Sequence, residues 1–332
     1  MSPGPAAEEE ATRTAASATR DQTAPNTTTA CYLISLLGTR ASDFTEMERM
    51  ARTLRLFDDG GRHPLVLFHE ASVPSAVLGA IRKALSSHRR LLLPARVDFP
   101  PGPPAAMGPR ARPPGGLMTT HNRTGWGYYH MIQFFAFDVF HHSALSDAEY
   151  VMRIDSDATI DARMPDLFAM VRLRGAAYLT PVGNADCGDI VEGLPGLAYA
   201  AAEIYGLEAR VKRLVYRKTC RPGKLCMDRG KLCVLGFYNN LEVVRVADFI
   251  APPPAAAIFA SAVQRSLGIY RHRWGDAIIR RLMLALMGSS VIYLDELAPL
   301  SGYCHRQFCV GARGNTRTDK FGQVHTFELA VG

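Results

Sequence analysis

The alternation of short apolar runs with helix-period segments restricts the fold of this chain more than any other feature. Cys31 to Leu37 (CYLISLL) is a continuous apolar run that stops at Gly38, the pattern of a strand buried on both faces. Asp43, followed by Glu46, supplies a capping signal, and Met47, Met50, Ala51 and Leu54 then recur at helical spacing until Asp59-Gly60-Gly61. The order repeats with Leu65 to Phe68 as a strand, Ser75 as N-cap of a helix carrying Val77, Leu78, Ile81 and Leu85 on one face, and Leu91 to Leu93 as the next strand. Strand and helix in alternation predict an α/β fold with a largely parallel sheet.

The rest of the chain extends this pattern. Tyr128 to Phe140 (YYHMIQFFAFDVF) reads as a buried aromatic helix and Tyr150 to Ile154 as a strand ending at Asp155. Ala177 to Pro181, Leu232 to Val244 with a break at Asn239-Asn240, and Val291 to Leu294 are further strand candidates. Phe99 to Gly116 (FPPGPPAAMGPRARPPGG) is a surface loop, because proline removes backbone donors and glycine loosens the chain; its length marks a lid or, preferably, an insertion. The predicted organisation is a disordered leader over residues 1–30, then one domain over 31–332 with insertions near 99–116 and 206–232.

Composition removes several classes. With 48% hydrophobic and 21% charged residues over 332, the chain is neither disordered nor a fibrous repeat. The longest apolar runs, such as Ile278 to Met287, are interrupted by Arg280 and Arg281 well short of a membrane span, and the leader has no apolar signal-peptide core. The net charge of +7 is a modest excess of 38 basic over 31 acidic residues and does not demand nucleic acid as a partner. It concentrates between Arg210 and Lys231, which reads as a solvated basic loop in preference to a phosphate- or membrane-surface site. Cys31, Cys187, Cys220, Cys226, Cys233, Cys304 and Cys309 lack zinc-site spacing and could supply bridges in an oxidising lumen, where the sequons at Asn26 and Asn122 would also be used.

The chemistry is expected around Asp155-Ser156-Asp157, directly after an apolar strand, since ligands of open α/β sheets gather at the carboxyl ends of strands. Two acids in a DxD can hold a hard divalent ion, Mn²⁺ or Mg²⁺, that bridges to diphosphate oxygens, which points to a nucleotide-sugar transferase; a short acidic turn is the alternative. In Ile269 to Ala277 (IYRHRWGDA), Asp276 reads as the cap of the helix that follows, with a contact to a sugar hydroxyl as the other reading. His305, in Gly302-Tyr303-Cys304-His305, is either a metal ligand or a local hydrogen-bonding histidine.

Taken in order, these segments resemble glycosyltransferase family 15, the fungal α-1,2-mannosyltransferases of the secretory pathway. Cys31 to Leu37 and Leu65 to Glu70 look like its first two strands, and Tyr128 to Phe134 is similar to its YRHMCRF segment. Met152 to Asp157 is similar to WRVEPD, Phe237 to Val243 to FWSNFEI, Arg273 to Ala277 is identical to RWGDA, and Gly302 to His305 is similar to GYHH. The resemblance implies a GT-A fold, a GDP-mannose donor, a glycan or glycoprotein acceptor, a Mn²⁺ ion, retention of configuration and a place in the Golgi lumen, with membrane association only through an anchor absent from this chain.

Carried over by position, the resemblance makes Asp155 and His305 metal ligands, with Asp157 beside the ion. Glu242 becomes the carboxylate that acts as nucleophile or stabilises an oxocarbenium-like transition state. Asp276 becomes a catalytic or sugar-contacting acid, Tyr128 and Trp274 pocket residues, Arg153 a diphosphate or structural partner, and Arg40 the nearest basic residue after the first strand. The chain departs from the family at Tyr129, Gln133, Gly38 and Val234. A relative using another donor sugar, or an inactive one that only binds nucleotide or carbohydrate, is the alternative.

Overall fold

The structure, a computed structural model, describes residues 30–57, 61–113, 125–218 and 230–294 and the strand segments 303–305, 308–310, 316–318 and 324–326. The leader with Asn26, the helix stop at Asp59, Asn122, the end of the proline segment at Gly115 and Gly116, and Cys220 and Cys226 lie outside the described residues.

Four strands run parallel: β1 (Ala30–Leu37), β2 (Leu65–His69), β3 (Leu92–Arg96) and β4 (Ala148–Ile154). Strand β3 forms one edge of the sheet and carries Pro94, a residue that an edge tolerates because its missing N–H costs no ladder bond there. Beyond β4 the same sheet continues with β10 (Leu241–Arg245), which is antiparallel to β4 and to β6 (Tyr178–Thr180), and ends with β11 (Val291–Tyr293) parallel to β6. The spatial order is therefore β11-β6-β10-β4-β1-β2-β3.

Side chains alternate across such a sheet and feed two helical layers. Leu33, Leu65, Leu67, Met152, Ile154, Leu241 and Val243 enter one core with α1 (Ala41–Thr53), α2 (Ser75–Ser86) and α4 (Leu167–Leu173). Ile34, Val66, Phe68, Val151 and Val244 enter the other, with α3 (Trp126–Ala136), α5 (Leu194–Glu203), α8 (Pro254–Ser266) and α10 (Asp276–Met287). Arg153 and Glu242 share the second face by this alternation, so two charged residues sit where apolar ones would otherwise complete the core.

Several local expectations shift. Helix α1 starts at Ala41 with Arg40 as N-cap, and Asp43 is its third residue, where its carboxylate accepts from the Arg40 backbone at 3.1 Å. Pro74, not Ser75, caps α2. Helix α3 stops at Ala136, and Asp138 to His141 form a tighter 3₁₀ turn. The described part of the proline segment packs on this region: Phe99, Met107 and Ala111 lie against the core, and the Gly102 carbonyl is 2.9 Å from His130 Nε2.

The Asn239-Asn240 break separates two strands of different sheets, since β9 (Leu232–Phe237) pairs with β7 (Gly183–Cys187) and β8 (Val215–Arg217) rather than continuing into β10. The 206–232 insertion accordingly contributes regular structure, α6 (Glu208–Lys212) and β8. A further sheet joins β5 (Ala158–Ile160), β12 (Tyr303–His305), β13 (Phe308–Val310), β14 (Thr316–Thr318) and β15 (Val324–Thr326). The short helices α7 (Ala247–Ile250) and α9 (Gly268–His272) complete the elements. Among the described residues, no helix is long and apolar enough to cross a membrane.

Cys187 and Cys233 face each other in the β7/β9 register and form a disulfide across a sequence separation of 46. Closing a loop of that length removes entropy from the unfolded chain worth about 4 kcal/mol. A Cys187→Ser/Cys233→Ser variant is expected to lose stability on that order in urea unfolding, and an unchanged midpoint would contradict a stabilising role for the bridge. Cys304 is also disulfide-bonded.

Candidate active site

Strand β4 delivers Arg153 and Asp155 to the carboxyl end of the sheet, where the chain turns through Asp155-Ser156-Asp157 into β5. The turn is closed by the Ala158 N–H donating to the Asp155 carbonyl at 3.0 Å. Both carboxylate oxygens of Asp155 are held: Oδ1 accepts from Arg153 Nε at 2.9 Å and Oδ2 from Asn240 Nδ2 at 2.6 Å. The Asn240 carbonyl in turn accepts from the Asp155 N–H at 2.9 Å, so the β9–β10 turn and the DxD turn brace each other.

Arg153 is the hub. Only 5% exposed, its guanidinium lies 3.8 Å from the Phe135 ring centroid, donates through Nη1 to Asp276 Oδ2 at 2.5 Å and stands 3.9 Å from Glu242 Oε1. Burial opposes its charge, but Asp155, Asp276 and Glu242 outweigh that and hold its pKa above the ordinary arginine value. Its Nε and Nη1 are both engaged by protein carboxylates, the arrangement of a structural partner within the cluster.

Asp276 is the first residue of α10, and Gly275 is the N-cap, so the expected capping role does not hold. The Asp276 carboxylate accepts instead from Arg153 and, at 2.7 Å, from Asn239 Nδ2. Its place in the first helical turn favours the negative charge. Arg273, in the same RWGDA run, adopts a left-handed backbone at φ +62° and donates through Nη2 to the Tyr128 hydroxyl at 3.1 Å. Tyr128 is thereby tied to the run that leads into Asp276.

Trp274 is 3% exposed, donates from Nε1 to the Glu192 carbonyl at 2.8 Å, and leaves so little room at Gly268 that a Cβ there would lie 2.0 Å from its ring. This packing fixes the loop before α10. Arg40 stands at the carboxyl end of β1 with its guanidinium on Asp43 at 2.9 Å, and no described contact joins it to the Arg153 cluster.

Glu242 is 1% exposed. Oε2 accepts from the Tyr178 hydroxyl at 2.5 Å and lies 2.9 Å from Arg280 Nε. Burial pushes its pKa above the usual carboxylate range, against the opposing pull of Arg280 and Arg153, and burial likewise pushes the Tyr178 phenol well up. Asp186, on β7, has its Oδ2 3.5 Å from the point a Cβ on Gly275 would occupy, and burial raises its pKa too.

His305 lies on β12 with its backbone opposite Ala158, one position beyond Asp157; its side chain is not among the described residues. On the same strand, the buried Tyr303 hydroxyl has no hydrogen-bond partner among the described residues and faces the charge of Asp155 and Asp157. Carboxylate oxygens, a phenol oxygen in want of a partner and the strand carrying His305 thus converge on the DxD turn. These are donor types that a Mn²⁺ ion accepts. Among the described residues, which exclude that imidazole, no group of three ligating side chains stands ready-made.

Sequence reasoning missed Tyr178, Asn239, Asn240, Asp186 and Arg280 as members of this site. Arg280 did carry a signal, as an arginine interrupting an otherwise apolar helix.

A parallel-centred sheet with one antiparallel strand beside the DxD strand, and polar residues gathered at its carboxyl end, is the GT-A glycosyltransferase fold. Known proteins agree with it. The structure of the mannosyltransferase Ktr4p from Saccharomyces cerevisiae matches with a TM-score of 0.67 at 17% identity, over 86% of this chain and 72% of that one. Core-mannan synthase A (CmsA/Ktr4) from Aspergillus fumigatus, solved in a Mn/GDP form, matches with a TM-score of 0.59 at 16% identity, over 86% and 77% of the two chains.

In sequence, the chain is 24% identical over 191 residues to the probable mannosyltransferase KTR4 of Saccharomyces cerevisiae, covering 54% of this chain and 39% of that protein. It thus spans about two fifths of that relative's length. No protein-family model matches the chain. Sequence and structure comparisons thus both lead to proteins named as Ktr4 mannosyltransferases, and at these identities the structures show a shared GT-A fold.

Proposed function

We propose that the protein is a metal-dependent, retaining mannosyltransferase that takes mannose from GDP-mannose and passes it to a mannose-containing glycan in α-1,2 linkage. The observation that carries the reading is the cluster of Arg153, Asp155, Glu242 and Asp276 at the carboxyl end of a GT-A sheet, each held by a named partner. Asp155 and His305 would hold Mn²⁺, with Asp157 beside it. When bound, the ion neutralises charge on the departing diphosphate.

The chain's own residues do the remaining work. Arg153 and Asn240 hold the Asp155 carboxylate at the strand end, so that it is placed before any ligand arrives. Glu242, in a buried and therefore weakly screened position, opposes positive charge developing at the anomeric carbon. Asp276 and Asn239 present polar atoms at the start of α10 for sugar hydroxyls. Tyr128, which accepts from Arg273 of the same loop that leads into α10, would contribute an aromatic hydroxyl to the donor or acceptor pocket.

The disulfide between Cys187 and Cys233 and the bonded Cys304 support work in an oxidising lumen such as the Golgi. The test is GDP release from GDP-mannose by purified protein with and without Mn²⁺, beside Asp155→Ala. Metal-dependent release that falls about 10²- to 10³-fold in the variant is expected, the scale of losing one pre-organised electrostatic group. Silence with GDP-mannose together with failure to bind GDP and Mn²⁺ would sink the reading; binding without turnover would favour an inactive relative.

A further inference from the structure

The candidate catalytic carboxylate is gripped asymmetrically. Tyr178, on β6, donates its hydroxyl to Glu242 Oε2 at 2.5 Å, and Arg280, on α10, brings Nε to 2.9 Å from that same oxygen. Oε1 turns the other way, toward Arg153 and Asp276, and accepts no hydrogen bond among the described residues. One oxygen is tied to the scaffold while the other faces the cluster.

Arg280 is unusually fixed for so long a side chain. It is 1% exposed, donates through Nη2 to the Phe135 carbonyl at 2.6 Å, and has its guanidinium beside the stacked Phe140 and Phe249 rings, at 4.9 and 5.0 Å from their centroids. Its Nε and Nη1 make no aligned hydrogen bond, so its hold on Glu242 is chiefly charge attraction in a dry setting, where it is weakly screened. A buried arginine is costly unless it serves a partner, and the carboxylate beside it is Glu242. Packing alone would be met by an apolar residue at this point of α10, whose neighbours Ile278, Ile279, Leu282 and Met283 are all buried and apolar.

From this geometry we infer that Arg280, with Tyr178, is a positioning residue: it anchors Oε2 of Glu242 so that Oε1 is presented to the reacting sugar as an anion. The inference rests on the proposed role of Glu242 and extends it to residues that touch no substrate. The groups facing Glu242 are Tyr178 from β6, Arg153 from β4, and Arg280 and Asp276 from α10. Of these, Arg280, Arg153 and the hydrogen bond from Tyr178 favour the anion, and Arg153 is already shared with two other carboxylates.

The experiment compares Arg280→Met, Arg280→Lys, Glu242→Gln and the double variant Arg280→Met/Glu242→Gln. Removing the arginine charge is expected to move the acid limb of kcat/KM for GDP-mannose upward by about 1–3 pH units. It should also lower kcat about 10²-fold, the cost of a misplaced group, while KM changes little. Arg280→Lys, which keeps the charge, should leave the limb near its original place. In urea unfolding the double variant should lose less than the two single variants combined, a coupling that can be read even where activity is lost. An additive cycle with an unmoved acid limb would overturn the inference. Wild-type turnover in Glu242→Gln, with the coupling intact, would leave the anchor standing and remove the catalytic role of Glu242 instead.

Discussion

Arg153→Met is expected to destabilise the protein by about 3–5 kcal/mol, the penalty for withdrawing the cation from a buried charge network. The variant keeps the length and much of the volume of the side chain, so the loss is one of charge rather than of packing. Asp276 would lose its 2.5 Å partner, Asp155 would lose the donor on Oδ1, and Glu242 would keep Arg280 as its one neighbouring cation among the described residues. Three carboxylates would then face one another around an uncharged centre, at ranges where like charges in a poorly screened setting repel strongly. Chemical denaturation at neutral pH checks this directly. Because the repulsion is between carboxylates, the deficit should shrink as the pH is lowered and they protonate. A loss that is small at neutral pH would mean that the arginine is not the hub described above.

Glu242→Gln is expected to lower turnover about 10²- to 10³-fold, the scale found when one pre-organised electrostatic group is removed from a transition state. The amide can still accept from the Tyr178 hydroxyl, so the geometry of Oε2 survives while the negative charge does not. Binding of GDP with Mn²⁺ should persist, since no described contact joins Glu242 to Asp155. In the native protein the acid limb of turnover should lie above that of an exposed glutamate, because burial raises the Glu242 pKa more than Arg280 and Arg153 lower it. The sign for stability follows: a buried carboxyl with a raised pKa favours the folded state at pH below its ordinary value, and that contribution is lost as the pH rises through the raised one. Turnover and the pH profile of the two proteins, measured side by side, decide the matter; equal turnover would move the chemistry away from this carboxylate.

Much of the layout was legible in the chain itself. Continuous apolar runs ending at Gly38 and at Asp155 mark strands buried on both faces, and the helical spacing between them forces a sheet covered on two sides. The DxD after one such run locates the working end of the sheet, and the RWGDA run marks the start of a helix. Caps were harder to place, because Asp43 and Ser75 are preferred capping residues that the backbone takes up after the helix has already begun. Trp274 drew a functional reading from its neighbours, although the space it fills against Gly268 is a packing matter that only the folded loop reveals.

The amino-acid order alone therefore settled the class of fold, the strand that carries the acids and the end of the sheet where they collect. Tertiary structure decided which charges meet. Arg153 and Asp276 are 123 residues apart in sequence, Asn240 and Asp155 are 85 apart, and Tyr178 and Glu242 are 64 apart. The two-residue period of a strand says which side a residue faces but not which strand will lie beside it. Only the antiparallel insertion of β10 between β4 and β6 sets Glu242 opposite Arg153 and within reach of Tyr178 and Arg280, turning scattered charges into one buried, mutually compensated site.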